Sequence, residues 1–162
     1  MPDLPDEDQG FLDVPGRSHA AADAGAFALS LQFFYRVPKA RVWHALTEGI
    51  NDWWSHRVHP EARSVLNATV GGQWVQLWSS GGALFATVSL VDVPNRLRLT
   101  GPLAMRRPAT NILEFELVAA ANGTELHVEH LCAGEIEPDA ASVHEQGWNH
   151  LFGTVLAEYL VR

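Results

Sequence analysis

"HEQGWNHLFGTVLAEYL" (residues 144–160) decides how the chain folds. Trp148, Leu151, Phe152, Val155, Leu156 and Tyr159 recur at i, i+3, i+4, i+7, i+8 and i+11. That spacing draws a broad apolar stripe along one face of an α-helix. Pro138 and Asp139 suit the helix start, and Ser142 with Glu145 has the spacing of a capping box. Two glycines sit oddly in such a helix, since each costs about 1 kcal/mol relative to alanine. Gly147 lies about 40° around the helix from Leu151. It borders the stripe, where a missing side chain leaves room for a strand or for something bound. Gly153 falls on the far side, with no evident use.

A stripe this wide needs a sheet to cover it, and the preceding chain supplies one. "FALSLQFFYRV" (27–37) has the aromatic and apolar content of a strand. Pro38 opens a helix over "KARVWHALTE" (39–48), Gly49 closes it, and "INDWWSH" (50–56) predicts a second short helix. Six strands follow. "SVLNATV" (64–70) leads to a hairpin at Gly71-Gly72, and "QWVQLW" (73–78) leads to another at Ser79–Gly82. "ALFATVSLVDV" (83–93) runs to a turn at Pro94-Asn95, and "RLRLTG" (96–101) comes next. In "TNILEFELVA" (110–119), Leu113, Phe115 and Leu117 share one face, and Glu114 and Glu116 the other. Asn122-Gly123 predicts a type I′ hairpin into "TELHVEHLC" (124–132), whose inward face is Leu126, Val128, His130 and Cys132. Such alternation describes an antiparallel sheet with one wet face and one buried face. The polar side of neighbouring strands carries Arg96 and Arg98 beside Glu114 and Glu116, which predicts cross-strand ion pairs. A long helix across a curved antiparallel sheet is an α+β architecture.

At 162 residues the chain fits one domain. Six of its 19 acidic residues lie within residues 1–25, but only one of its 11 basic residues, Arg17. That segment is rich in Pro, Gly and Ala, lacks periodicity, and reads as a flexible acidic tail before a single domain over 26–162. No Lys/Arg cluster marks a phosphate-binding face, which argues against nucleic-acid binding. No run reaches the roughly 18 apolar residues of a membrane span. The opening "MPDLPDEDQG" lacks the apolar core of a signal peptide. Cys132 stands alone, so no internal disulfide forms, and a cytoplasmic location is the default expectation.

The chemistry of familiar sites is missing. There is no G-x-S-x-G, no P-loop and no G-x-G-x-x-G. "HRVH" (56–59), "HVEH" (127–130) and "HEQGWNH" (144–150) lack strong zinc spacings, so no metal is expected. No inward pair of carboxylates suggests acid–base work. Cys132 and His130 share a strand face about 6.6 Å apart, too far for a direct pair, and a buried inert thiol is the expectation.

Several of these stretches together resemble one family. They are "VPKARVWHALTEGINDWW" (37–54), "VGGQW" (70–74), "VDVPNRLRLTG" (91–101), "NGTELHVEH" (122–130) and "GWNHLFGTVLAEYL" (147–160). Their order and spacing resemble the START-like, or SRPBCC, superfamily. Within it they are most similar to the group named after the C-terminal domain of the activator of the heat-shock protein 90 ATPase. The resemblance spans about residues 27–161. It implies a helix-grip (Bet v-like) fold of about seven strands around the C-terminal helix, with an apolar cavity between them. The superfamily includes carriers of hydrophobic ligands, polyketide cyclases and aromatases, toxin-sequestering proteins and chaperone activators.

A cavity so placed would be lined from the helix by His144, Trp148, Leu151 and Val155. From the strands would come Trp74, Trp78, Phe85, Leu97, Leu99, Leu113, Phe115, Val128 and His130. Trp53 or Trp54 and the "GPLAM" segment (101–105) would close one end. His130 and His144 are the polar candidates, as ligand handles or as core histidines. The expected function is binding of a hydrophobic or aromatic small molecule without transforming it, with no cofactor and no catalytic residue. A cyclase or aromatase using His130 or His144 is the alternative. A co-chaperone ranks last, because the sequence shows no counterpart of the separate N-terminal domain of the full eukaryotic activator. A homodimer is compatible with either.

Overall fold

The computed structural model describes residues 24–162; most of the expected acidic tail lies outside the described residues. β1 (Ala24–Tyr35) leads through α1 (Lys39–Leu46) and α2 (Ile50–Trp53) into β2 (Arg63–Leu66), β3 (Gln73–Trp78), β4 (Gly81–Asp92), β5 (Arg96–Gly101), β6 (Ala109–Ala120) and β7 (Gly123–Glu135). The seven strands form one antiparallel sheet in the order β1-β7-β6-β5-β4-β3-β2. After β7, α3 (Ala140–His150) passes into a π-helical turn (Leu151–Val155) and a last helical turn, α4 (Leu156–Leu160). The curved sheet holds this helix in a helix-grip fold. No helix among the described residues is long and apolar enough to cross a membrane.

Alternation places the faces of β5, β6 and β7 as expected. Leu97, Leu99, Leu113, Phe115, Leu117, Leu126, Val128 and Cys132 are all buried. On the wet face Glu114 bridges both Arg96 and Arg98 at 2.5 Å. β4 breaks the alternation. Trp74 pairs with Ala86 and Val75 with Leu84, so Phe85 is an extra, bulged residue. Phe85 and Ala86 are consequently both buried. A second shift between Val88 and Leu90 leaves Ser89 unpaired. Bulges bend a strand and increase its twist, which helps the sheet curl around the helix.

Two hairpins differ in detail from expectation. β2 stops at Leu66, before the turn at Gly71-Gly72: Gly72 N–H donates to the Thr69 carbonyl at 2.8 Å, Gly71 is left-handed at φ 81°, and β3 pairs back on β2. Gly71 N–H also donates to the Val88 carbonyl and Val88 N–H to the Gly72 carbonyl, both at 2.8 Å, so the loop docks on β4. In the β6–β7 hairpin Ala120 pairs with Gly123, which makes Ala121-Asn122 the turn residues. Only Asn122 is left-handed, with φ 66°, so the turn is not type I′. Gly123 is needed for close approach instead, since a Cβ there would lie 2.1 Å from the Tyr35 carbonyl.

The closing helix also departs from its sequence pattern. Ser142 lies inside α3, after Asp139 at the N-cap, and no side chain caps the helix. In the π turn, the Leu156 N–H goes to the Leu151 carbonyl rather than to Phe152. The Phe152 carbonyl instead accepts from the buried Tyr35 hydroxyl at 2.7 Å. Burial pushes the Tyr35 pKa upward, so this donor keeps its proton. A wider turn rotates less per residue. The buried face therefore continues through Leu156 and Leu160, while Val155 and Tyr159 are only half-buried. Tyr35→Phe should cost about 1–3 kcal/mol, because it strands a buried carbonyl. Chemical denaturation measures it, and an unchanged midpoint would mean that the π turn finds another donor.

Candidate functional site

A cavity of about 270 Å³ opens between the helix and the sheet at the α3 end. Trp54, Trp74, Phe85, Trp148 and Leu151 form its apolar wall. The aromatic rings brace one another. Trp54 meets Trp74 edge-on at 4.6 Å, Trp74 lies 4.9 Å from Phe85, and Trp148 stacks on Phe152 at 5.6 Å. Phe85 reaches the wall because the bulge turns it inward. Gly147 completes this side. A Cβ built there would meet only His56 Cε1, at 3.8 Å, so the gap beside Trp148 is open space, not a seat for a strand.

Two loops supply the rest. One is the segment after α2, with His56, Arg57 and Val58. The buried Gln76 side chain holds it to β3, donating to the His56 carbonyl at 2.8 Å and accepting from Val58 N–H at 2.9 Å. The Arg57 guanidinium fastens it from the other side, donating to Asn51 Oδ1 and O and to the Ala62 carbonyl at 2.6–3.1 Å. The other loop follows β5. Leu103 and Ala104 line the cavity, both left-handed with φ 49° and 54°. Leu103 N–H donates to the Phe85 carbonyl at 2.8 Å, which ties this loop to the bulge.

The two histidines behave differently. His130 is fully buried. Trp148 Nε1–H donates to His130 Nδ1 at 2.9 Å, so Nε2 carries the proton and donates to Asn111 Oδ1 at 2.7 Å. Asn111 Nδ2 in turn donates to the Gly101 carbonyl at 3.2 Å. Burial, aided by nearby His144, lowers the His130 pKa to about 4. Both nitrogens are occupied and the ring is neutral, so His130 fixes the tilt of Trp148 and presents nothing to the cavity. His144 does line the cavity, and its Nδ1 lies 2.8 Å from the Ala140 carbonyl. With Nδ1–H donating there, Nε2 is left as an acceptor.

This geometry sits within a recognisable family. Residues 36–161 match the family described as Activator of Hsp90 ATPase homolog 1-like protein. The chain belongs to that family. It is a member of the START-like superfamily, and solved structures show the same fold. Mll3558 from Rhizobium loti superposes with a TM-score of 0.65 at 21% identity, covering 83% of this chain and 97% of its own. CalU16 from Micromonospora echinospora gives 0.60 at 21% identity, over 83% of this chain and 76% of its own. Ara h 8.0201 gives 0.61 at 12% identity, over 85% and 99%. A search of curated proteins finds no match.

Within this family member, six of the expected lining residues meet at the cavity: Trp54, Trp74, Phe85, His144, Trp148 and Leu151. The others do not. Leu97, Leu113 and Val128 lie in the packed core. Trp53, Leu99 and Phe115 border only a void of about 10 Å³, room for one water at most. Trp53 turns away because its indole N–H donates to the Ala45 carbonyl at 2.7 Å. Trp78 has the inward parity of β3 but is covered by His59, stacked on it at 5.1 Å and 7°. Val155 is rotated off the buried face by the π turn. Sequence periodicity missed His56, Arg57, Val58 and Val143, three of them on a loop. One signal was available. Gln76 stands between Trp74 and Trp78 at an inward strand position, and a polar side chain there needs a backbone segment to hold.

Proposed function

We propose that this chain binds an apolar, aromatic-bearing small molecule in the cavity beneath Trp148, without transforming it. The cavity itself carries the reading. Ligand sites are concave and mostly apolar, with few polar groups. This one is walled by four large aromatics and bordered by a loop tied through Gln76 and Arg57. Its size sets the guest. A dry protein cavity of about 150 Å³ admits benzene, so about 270 Å³ suits two fused rings. Of the two histidines a cyclase could use, His130 is withdrawn, because both of its nitrogens are bonded within the fold, and this supports the non-catalytic reading.

Native mass spectrometry of the purified protein should show a retained small molecule or, after stripping, uptake of naphthalene. Gly147→Leu provides the matching test. The new side chain enters open space and removes a helix glycine, so stability should hold or rise by up to about 1 kcal/mol. Naphthalene affinity, followed by tryptophan fluorescence, should fall at least about tenfold, because the new side chain occupies the guest's volume. Equal affinity in the variant and the parent would place the binding site elsewhere.

A further inference from the structure

The polar groups around the cavity are few and unevenly committed. No Asp, Glu, Ser, Thr, Asn, Gln or Tyr lines it, so side-chain acceptors come only from His56 and His144. The donors are spent inside the fold or sealed. Trp54 Nε1–H donates to the His56 carbonyl at 3.0 Å, Trp148 Nε1–H to His130 at 2.9 Å, and the Arg57 guanidinium to Asn51 and Ala62 at 2.6–3.1 Å. Trp74 Nε1–H is buried without a partner. His56 is exposed at the rim, where water competes for its ring, whereas His144 is half-buried.

His144 is held in one orientation. Its Nδ1–H donates to the Ala140 carbonyl at 2.8 Å, one turn back on the same helix. Phe27 lies 5.3 Å from the ring, and His130 meets it edge-on at 5.2 Å. In the neutral ring Nε2 then carries no proton and can only accept. It has no partner within the fold, yet it is not sealed. Trp74 Nε1 is the one side-chain nitrogen or oxygen among the described residues that is both buried and unbonded, so His144 Nε2 stays open. The residue also stands at a junction. It sits one turn before Gly147, whose missing side chain leaves the gap beside Trp148. With Leu103, Ala104 and Val143 it lines both the cavity and an outer recess that runs towards Arg106 and Glu137.

We infer that the cavity selects hydroxylated aromatic molecules, and that His144 Nε2 accepts from the guest's hydroxyl where the cavity meets the outer recess. This rests on the small-molecule binding proposed above and goes further in assigning a chemical class and the group that reads it. Discrimination follows from the open acceptor. A guest that fills the aromatic end and carries a methyl group past His144 covers Nε2 and takes away its water. A hydroxyl of the same size replaces that water with a bond. An aryl ether has the oxygen but no proton, so acceptor meets acceptor and nothing is gained. Sites built to bond a polar group reject analogues lacking it for this reason.

The test uses 2-naphthol, 2-methylnaphthalene and 2-methoxynaphthalene, in the parent and in His144→Phe, at mildly alkaline pH where free imidazole is neutral. The variant keeps a ring against Phe27 and His130. Going from parent to variant should weaken 2-naphthol at least about fivefold relative to 2-methylnaphthalene, whatever happens to both affinities together. The ether should show no such relative loss. In the parent, the ¹⁵N resonance of His144 Nε2, assigned by its absence from the variant's spectrum, should move upfield with 2-naphthol and with neither analogue. An affinity ratio unchanged by His144→Phe, or an Nε2 resonance indifferent to 2-naphthol, overturns the assignment while leaving small-molecule binding intact. A relative loss shared by the ether overturns it too, since the ether has no proton to give. Binding of none of the three overturns both.

Discussion

Truncating Phe152 to alanine should remove about 3–5 kcal/mol of stability, read as a shift of the denaturant midpoint at constant slope. The residue is fully buried. Its ring packs against Phe33, Trp53, Phe115 and Trp148 at centroid distances of 5.6–5.9 Å. The size of the loss depends on whether neighbours can close the hole. They cannot move far. Trp53 is tied to the Ala45 carbonyl and Trp148 to His130, and the Phe152 backbone is itself held by Tyr35. The vacated volume would also merge with the small void that Phe152 already borders. A loss below about 1.5 kcal/mol would mean that the aromatic cluster collapses despite those ties.

The second large effect comes from acid. His130 has a pKa of about 4 in the fold, against an ordinary 6.5, because burial disfavours its charged form and His144 adds to the effect. Above pH 6.5 the ring is neutral in both folded and unfolded chains, and stability is insensitive to it. Between 6.5 and about 4 the unfolded chain takes up a proton that the folded chain refuses. Stability therefore falls as pH falls through this window, by about 3 kcal/mol in all, and levels off below it. Denaturation curves at half-unit steps from pH 7 to 4 would show it. In His130→Gln this part of the slope should disappear, even though the variant starts less stable. An identical slope in both proteins would assign the acid sensitivity to other groups.

Residue pattern carried the architecture further than it carried the site. Strict alternation on β5, β6 and β7 and the stripe from Trp148 to Leu156 were enough to give an antiparallel sheet closed by a helix. These features are local, and apolar spacing alone encodes them. Phe85 shows where that stops. Its inward aim was legible, but the bulge that also turns Ala86 inward depends on which residue β3 places opposite, a fact held by the pair of strands. The π turn is of the same kind. Nothing in "LFGTV" announces it, and it stands because Tyr35, more than a hundred residues earlier, donates to Phe152. Spacing left His130 open between a ligand handle and a core histidine, and Asn111 and Trp148, from another strand and from the helix, decide for the core by using both its nitrogens. The loop residues at the cavity rim had no periodicity to betray them. The glycine problem in the closing helix was half legible. Gly147 faces open space at the cavity, while a Cβ at Gly153 would make only ordinary contact with Phe33, 3.6 Å away.

The tethers from Gln76 and Arg57 bear on the thermodynamics of anything that enters. A wall that had to close over its guest would surrender backbone freedom on binding, and the guest's affinity would be reduced by that loss. Here the segment carrying His56 to Val58 is fixed by hydrogen bonds that form when the chain folds. Its entropy is already gone before a guest arrives. Affinity at this cavity is then governed by contact and desolvation, and differences between guests report their chemistry, not their power to order the protein.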